Sequence, residues 1–122
     1  MFYKLRQRTN RAWFNFWARE ILSTPPLTER DAPLVTLSMV SHLDLVMYLV
    51  AIKSYYRVMG RGRVVVLNDG SLSESDLVLL KRHVPFVKIV PISEVRTAPC
   101  PSGACWERLL LISEYVKDNY VV

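Results

Sequence analysis

Arg63-Val64-Val65-Val66-Leu67-Asn68 sets four consecutive apolar residues, three of them β-branched, between polar neighbours. Such a run reads as a short strand buried on both faces, which belongs inside a parallel sheet. The same logic assigns a first strand to Leu34–Val40 and a third to Val87–Val90. Between them the apolar period changes to that of helices. After the first strand, Ser41 with Asp44 three residues on forms a predicted capping box, and a helix runs to about Met59, where Gly60 ends it. That helix is apolar on most sides and should be sandwiched. After the central strand, Ser73 and Asp76 form a second capping box for a helix over Glu74–His83, which stops before Pro85. Ile92–Ala104 reads as an irregular loop with Pro91 at its start. A last helix over Cys105–Asp118 carries Trp106, Leu109, Leu110, Ile112 and Val116 as its expected buried stripe. Tyr120-Val121-Val122 opens a fourth strand in which the chain ends, so an incomplete piece of a longer protein is expected. The pattern βαβαβαβ predicts an α/β, doubly wound, mainly parallel sheet over residues 33–122, truncated in its fourth strand.

Residues 1–32 are different. From Leu5 to Leu22 the period is helical, with Trp13, Phe16, Trp17 and Ile21 on one face and Phe14 widening it. Lys4, Arg6, Arg8, Arg11 and Arg19 decorate the remainder. A basic amphipathic helix rich in Trp and Phe suits an anionic membrane surface; a helix packed on its own domain is the competing reading. Ser23–Pro33 holds three prolines and reads as a linker. Charge sharpens this division. Of the net +5, residues 1–22 hold +4, from five basic side chains against Glu20 alone. The rest of the chain is nearly neutral, which argues against a nucleic-acid partner.

The 122 residues suffice for one cored domain. No signal peptide or membrane span is legible: the most apolar stretch, Leu43–Ile52, is too short and contains Asp44. Cys100 and Cys105 are read as reduced thiols of a cytoplasmic protein, peripheral to the membrane's inner face if the basic helix docks there.

Candidate chemistry collects where strands end, because open α/β sheets bind ligands beyond the carboxyl ends of their strands. Asn68-Asp69-Gly70-Ser71 follows the central strand, and its glycine permits close backbone approach. Asp69 is therefore a candidate ligand contact, against a plain turn with Ser71 or Ser73 as a helix cap. His42 sits just beyond the first strand. Arg108 lies in a helix's first turn, where a cation is electrostatically misplaced unless it holds phosphate or carboxylate. A G-x-G-x-x-G after the first strand is missing, as are a P-loop, a Ser/His/Asp order and a Cys-x-x-Cys.

Strand, helix, Val-Val-Val-Leu-Asn-Asp-Gly-Ser, helix, strand, loop, then Cys-Trp-Glu-Arg-Leu-Leu-Leu leading into Asn-Tyr-Val-Val resembles the nucleotide-binding half of a GT-A-type glycosyltransferase. It looks closest to the bacterial nucleotide-diphospho-sugar transferases and covers about residues 33–122. The resemblance implies a nucleotide-sugar donor along the ends of the first two strands, near Val40, Ser41, His42, Asn68, Asp69, Gly70 and Ser71. Asp69 matches the second acid of the family's Asp-Asp-Gly-Ser and would accept a hydrogen bond from the base. Asn68 replaces the first acid. Arg108 matches a basic residue facing the donor's sugar and phosphates. The family's Asp-x-Asp, which holds a divalent metal (Mn or Mg) on the diphosphate, would fall beyond Val122. This chain alone is thus expected to bind no metal and to be inactive, its acceptor unknown. The competing class is a non-catalytic α/β nucleotide-binding or interaction module.

Overall fold

The computed structural model describes residues 2–103 and 105–122. Four strands form one all-parallel sheet in the order β3-β2-β1-β4: β1 Leu34–Val40, β2 Arg63–Asn68, β3 Lys88–Pro91 and β4 Tyr120–Val121. Helices α2 (Leu45–Met59) and α3 (Glu74–His83) cover one face, where Leu49, Ile52 and Leu80 pack with Val64 and Val66. Helix α4 (Trp106–Tyr115) covers the other, with Leu111 against Val35, Leu37, Val65 and Leu67. The alternate side chains of β2 thus feed two separate cores, which is why that strand is apolar throughout. The sheet is doubly wound, as the alternation of strands and helices implied.

Most expected boundaries hold, and the exceptions have local causes. Ser73 and Asp76 make the reciprocal capping box. Gly60 closes α2 in the left-handed conformation, φ 66°. Ser41 and Asp44, in contrast, do not form a capping box. A 3-10 turn over His42–Asp44 precedes α2, so the Asp44 N–H reaches the Ser41 carbonyl, and the Ser41 hydroxyl donates to the Asp44 carboxylate at 2.7 Å. The third strand starts one residue later than its apolar run, at Lys88.

The stripe expected on α4 is corrected in part: Ile112 packs on the core as expected and Leu110 is half-buried, but the other members do not follow. Trp106, Leu109 and Val116 are exposed, whereas Glu107 and Leu111 are buried and Tyr115 is half-buried. That i, i+4, i+8 row meets the sheet because α4 lies along β1 and β4. Glu107 accepts the Gly103 N–H at 2.6 Å through Oε1, while its Oε2 is buried without a hydrogen-bond partner among the described residues. The loop expected over Ile92–Ala104 opens with a 3-10 turn, Ile92–Glu94; Ala104 lies outside the described residues.

Helix α1 spans Phe2–Ala18, three residues earlier than its period suggested, and tightens into a 3-10 turn over Arg19–Ser23. It packs beside α2. The proline-containing segment that follows is tied down along its length. Lys53 donates to the Thr24 hydroxyl at 2.5 Å and the Pro25 carbonyl at 2.8 Å. The Leu27 N–H meets the His83 carbonyl at 2.9 Å, and the Gly62 N–H meets the Arg30 carbonyl at 2.8 Å. Ile21, Leu22 and Leu27 join the core under α2 and α3. Among the described residues no helix is long and apolar enough to cross a membrane.

Candidate functional site

The register of the sheet builds the site. Val40 pairs with Asn68, so β1 and β2 end level and release their loops side by side. Those loops are stitched together. The His42 N–H donates to Ser71 Oγ at 2.9 Å, and that hydroxyl donates to Asp69 Oδ1 at 2.6 Å. Asp69 Oδ1 also accepts the Ser71 N–H at 2.9 Å, and Asn68 Oδ1 accepts the Gly70 N–H at 2.9 Å. Two successive Asx turns therefore shape the end of β2. Gly70 has φ 95°, and a side chain there would meet no neighbour within 4 Å, so the backbone faces open space.

A second bond joins the loops more strongly. His42 Nδ1 lies 2.6 Å from Asp76 Oδ2, an oxygen that also accepts from the Ser73 N–H and hydroxyl, each at 2.8 Å. Burial raises the Asp76 carboxyl, but the bonds from His42 and Ser73 outweigh it and hold it below its ordinary 3.8. Asp76 is thus ionised at neutral pH and fixes a proton on His42 Nδ1, which leaves Nε2 of this half-exposed ring as the group offered outward. Asp69 is exposed and keeps its second oxygen without a hydrogen-bond partner among the described residues. A carboxylate pinned through one oxygen, with the other open, is a directed acceptor for an N–H or O–H donor.

The expected residues divide accordingly. Ser41, His42, Asn68, Asp69, Gly70 and Ser71 come together at one edge of the sheet. Val40 does not present its side chain there, because it is 2% exposed in the core under α2. Arg108 stands apart: α4 lies on the opposite face, and no hydrogen bond or ion pair joins Arg108 to these loops among the described residues. It is exposed. Since α4 carries the chain back from β3 to the parallel β4, its first turn does lie at the carboxyl end of the sheet.

Asp76 is the participant that the sequence hid. As the third residue of a capping box it reads as purely local, and its partner His42 is 34 positions away. Only the level ending of β1 and β2 brings the pair together. Among the described residues, no three His, Cys, Asp or Glu side chains gather to hold a metal ion. Asp76 Oδ2 is already committed to His42 and Ser73. Comparison with protein-family models found no match, and neither did comparison with curated proteins or with solved structures.

Proposed function

We propose that this chain forms the nucleotide-diphospho-sugar-binding half of a glycosyltransferase of the GT-A type, with the base and ribose held at the ends of β1 and β2. The observation that carries the reading is the cross-linked pair of loops at the carboxyl edge of a parallel sheet. They present an open Asp69 oxygen, the backbone around Gly70 and the outward nitrogen of His42. Support also comes from topology. The chain moves from β1 to β2 and β3 on one side, then returns to place β4 on the other, so β1 borders the switch point where such sheets bind ligands.

In this reading Asp69 accepts a hydrogen bond from the base, and Ser71 keeps the carboxylate turned toward it. His42, oriented by Asp76, faces the ribose or the first phosphate. Arg108 would meet the diphosphate only if donor binding draws it toward the strand ends. The metal that the family uses requires carboxylates beyond those gathered here. The natural place for them is a continuation of β4: Val121 pairs with Val35, so a strand extended in register would draw level with Val40 five residues later. A coding sequence running on past Val122 without paired acids near that level would count against the metal-dependent form.

Calorimetric titration of the 122-residue chain with UDP, GDP and ADP, each with Mg or Mn, tests the reading. One of the three is expected to bind. Asp69→Ala should weaken it about fivefold, equivalent to roughly 1 kcal/mol for one hydrogen bond, while lowering the melting temperature only slightly through the lost bonds to Ser71. No binding by any of them, or an unchanged affinity with a large loss of stability, would reduce Asp69 to a turn residue. A chain whose parent protein binds nucleotide yet transfers no sugar would be the non-catalytic module.

A further inference from the structure

Helix α1 is turned inside out relative to an ordinary surface helix. Its half-buried residues are Arg11, Asn15 and Ala18, an i, i+4, i+7 row without a large apolar side chain that faces the domain. Phe2, Leu5, Trp13, Phe16 and Trp17 fall within an arc of roughly 120° on the other side, given about 100° per residue. All five are between 60% and 89% exposed, and no residue of the helix is buried. Trp17 meets the tilted ring of Trp13 and the edge-on ring of Phe16, each at 5.9 Å between centroids, so these three form one aromatic cluster. An apolar patch of this kind marks an interaction site.

Charge names the occupant. The 17 residues of α1 contain no Asp or Glu, against Lys4, Arg6, Arg8 and Arg11. The Lys4 and Arg8 side chains line a hollow with Phe2 and Leu5 of the aromatic face and reach toward the domain on their other side. There, with Gln7, Arg11 and Leu43, they enclose a groove of about 500 Å³. Arg6 rises within the aromatic arc itself. A second copy of the chain would bring two such uncompensated cationic helices together, and Arg6 would be buried without a counter-charge. A lipid surface has the opposite property: rings settle at headgroup depth while flanking cations meet anionic headgroups. We propose that α1 lies in the interface of an anionic bilayer, aromatic face down. The Arg11–Asp44 contact, 3.5 Å, seats the helix against the start of α2, next to Ser41. Docking therefore carries the carboxyl edge of the sheet to the membrane surface.

Flotation of the full chain with vesicles of phosphatidylcholine alone, or mixed equally with phosphatidylglycerol, tests this directly. The chain should float with the mixed vesicles, remain free with the neutral ones, and dissociate as salt rises. Lys4→Gln/Arg8→Gln should lower partitioning roughly 25-fold, at about fivefold per cation. Trp13→Ser/Trp17→Ser should abolish it and leave the melting temperature unchanged. Equal flotation with both vesicle types, or with neither, overturns the proposal. So does a dimer in sedimentation velocity that dissociates in Trp13→Ser/Trp17→Ser, since the face would then belong to a second copy.

Discussion

Helices α1 and α2 lie side by side and sort their side chains in opposite senses. Helix α1 leaves two tryptophans and three phenylalanines exposed and turns Arg11 and Asn15 toward the protein. Helix α2 buries Leu45, Leu49, Ile52 and Tyr56, and it also buries a lysine. Lys53 is 9% exposed, and its ammonium is surrounded by acceptors: the Thr24 hydroxyl, the Pro25 carbonyl and His83 Nδ1 at 2.9 Å. The difference comes from connectivity. As the crossover between adjacent parallel strands, α2 must lie on the sheet, and every side chain on that face is buried whatever its chemistry. Helix α1 precedes the first strand and is bound by no such constraint. Its apolar face is left uncovered by the fold.

The contrast can be broken most sharply at Leu49, which is fully buried. Leu49→Ala should cost about 2–5 kcal/mol through lost burial and the cavity left behind, measured by urea denaturation. A loss no larger than that of an α1 substitution would mean that α2 is not the core helix described. Lys53→Met comes next. Removing the ammonium takes the donor from the Pro25 carbonyl and His83 Nδ1, so stability should fall by about 1–3 kcal/mol. Proteolysis should then cut the segment around Thr24–Leu27 sooner. A neutral or stabilising effect would show that the lysine is merely accommodated.

A pH series sharpens the same site. Burial holds the Lys53 ammonium below its ordinary range. Burial, with the charges of Lys53 and Arg82 beside it, holds the His83 imidazole below its ordinary 6.5. The unfolded chain therefore binds the histidine proton more readily than the folded one. This contribution to stability is complete above 6.5 and is lost as pH falls through that value toward the folded one. Melting temperature followed from neutral to mildly acid pH should drop in the parent and drop less in His83→Gln. Parallel curves would exclude His83 as the titrating group. The smallest effect belongs to α1: Trp13→Ala should change stability by no more than about 0.5 kcal/mol, as for other exposed substitutions. A larger loss would show that the aromatic face packs on the protein after all.

Local pattern was enough for the elements themselves. Four apolar residues at Val64–Leu67, the Ser73–Asp76 box and Gly60 each act over a few residues, so strand, helix start and helix end could be read directly from the chain. The alternation of strands and helices then implied a parallel, doubly wound sheet, because crossover helices leave few other arrangements. What the pattern could not specify is which side chains share a neighbourhood. Val116 and Trp106 of α4 are as apolar as Leu111, yet only Leu111 faces the sheet, since the helix's rotation is set by contact with β1 and β4. Ser41 and Asp44 have the spacing of a cap, but the way α2 leaves the strand makes them a 3-10 turn.

The candidate site shows the same limit. Asn68, Asp69 and Gly70 were legible as a strand-end turn, because that signal is carried by adjacent residues. Asp76 and Lys53 were not, because their partners lie 34 and 30 positions away in sequence. Hydrogen bonds at 2.6–2.9 Å between residues that far apart exist only once β1 and β2 pair in register and α2 settles beside α3. The sequence by itself determined which segments become strands and helices and which end of the sheet is polar, since those depend on short-range sterics and burial. Tertiary structure alone decided that His42 is held by Asp76, that a lysine closes the core, and that the aromatic face of α1 looks away from the protein. Each of those depends on where elements distant in sequence come to rest against one another.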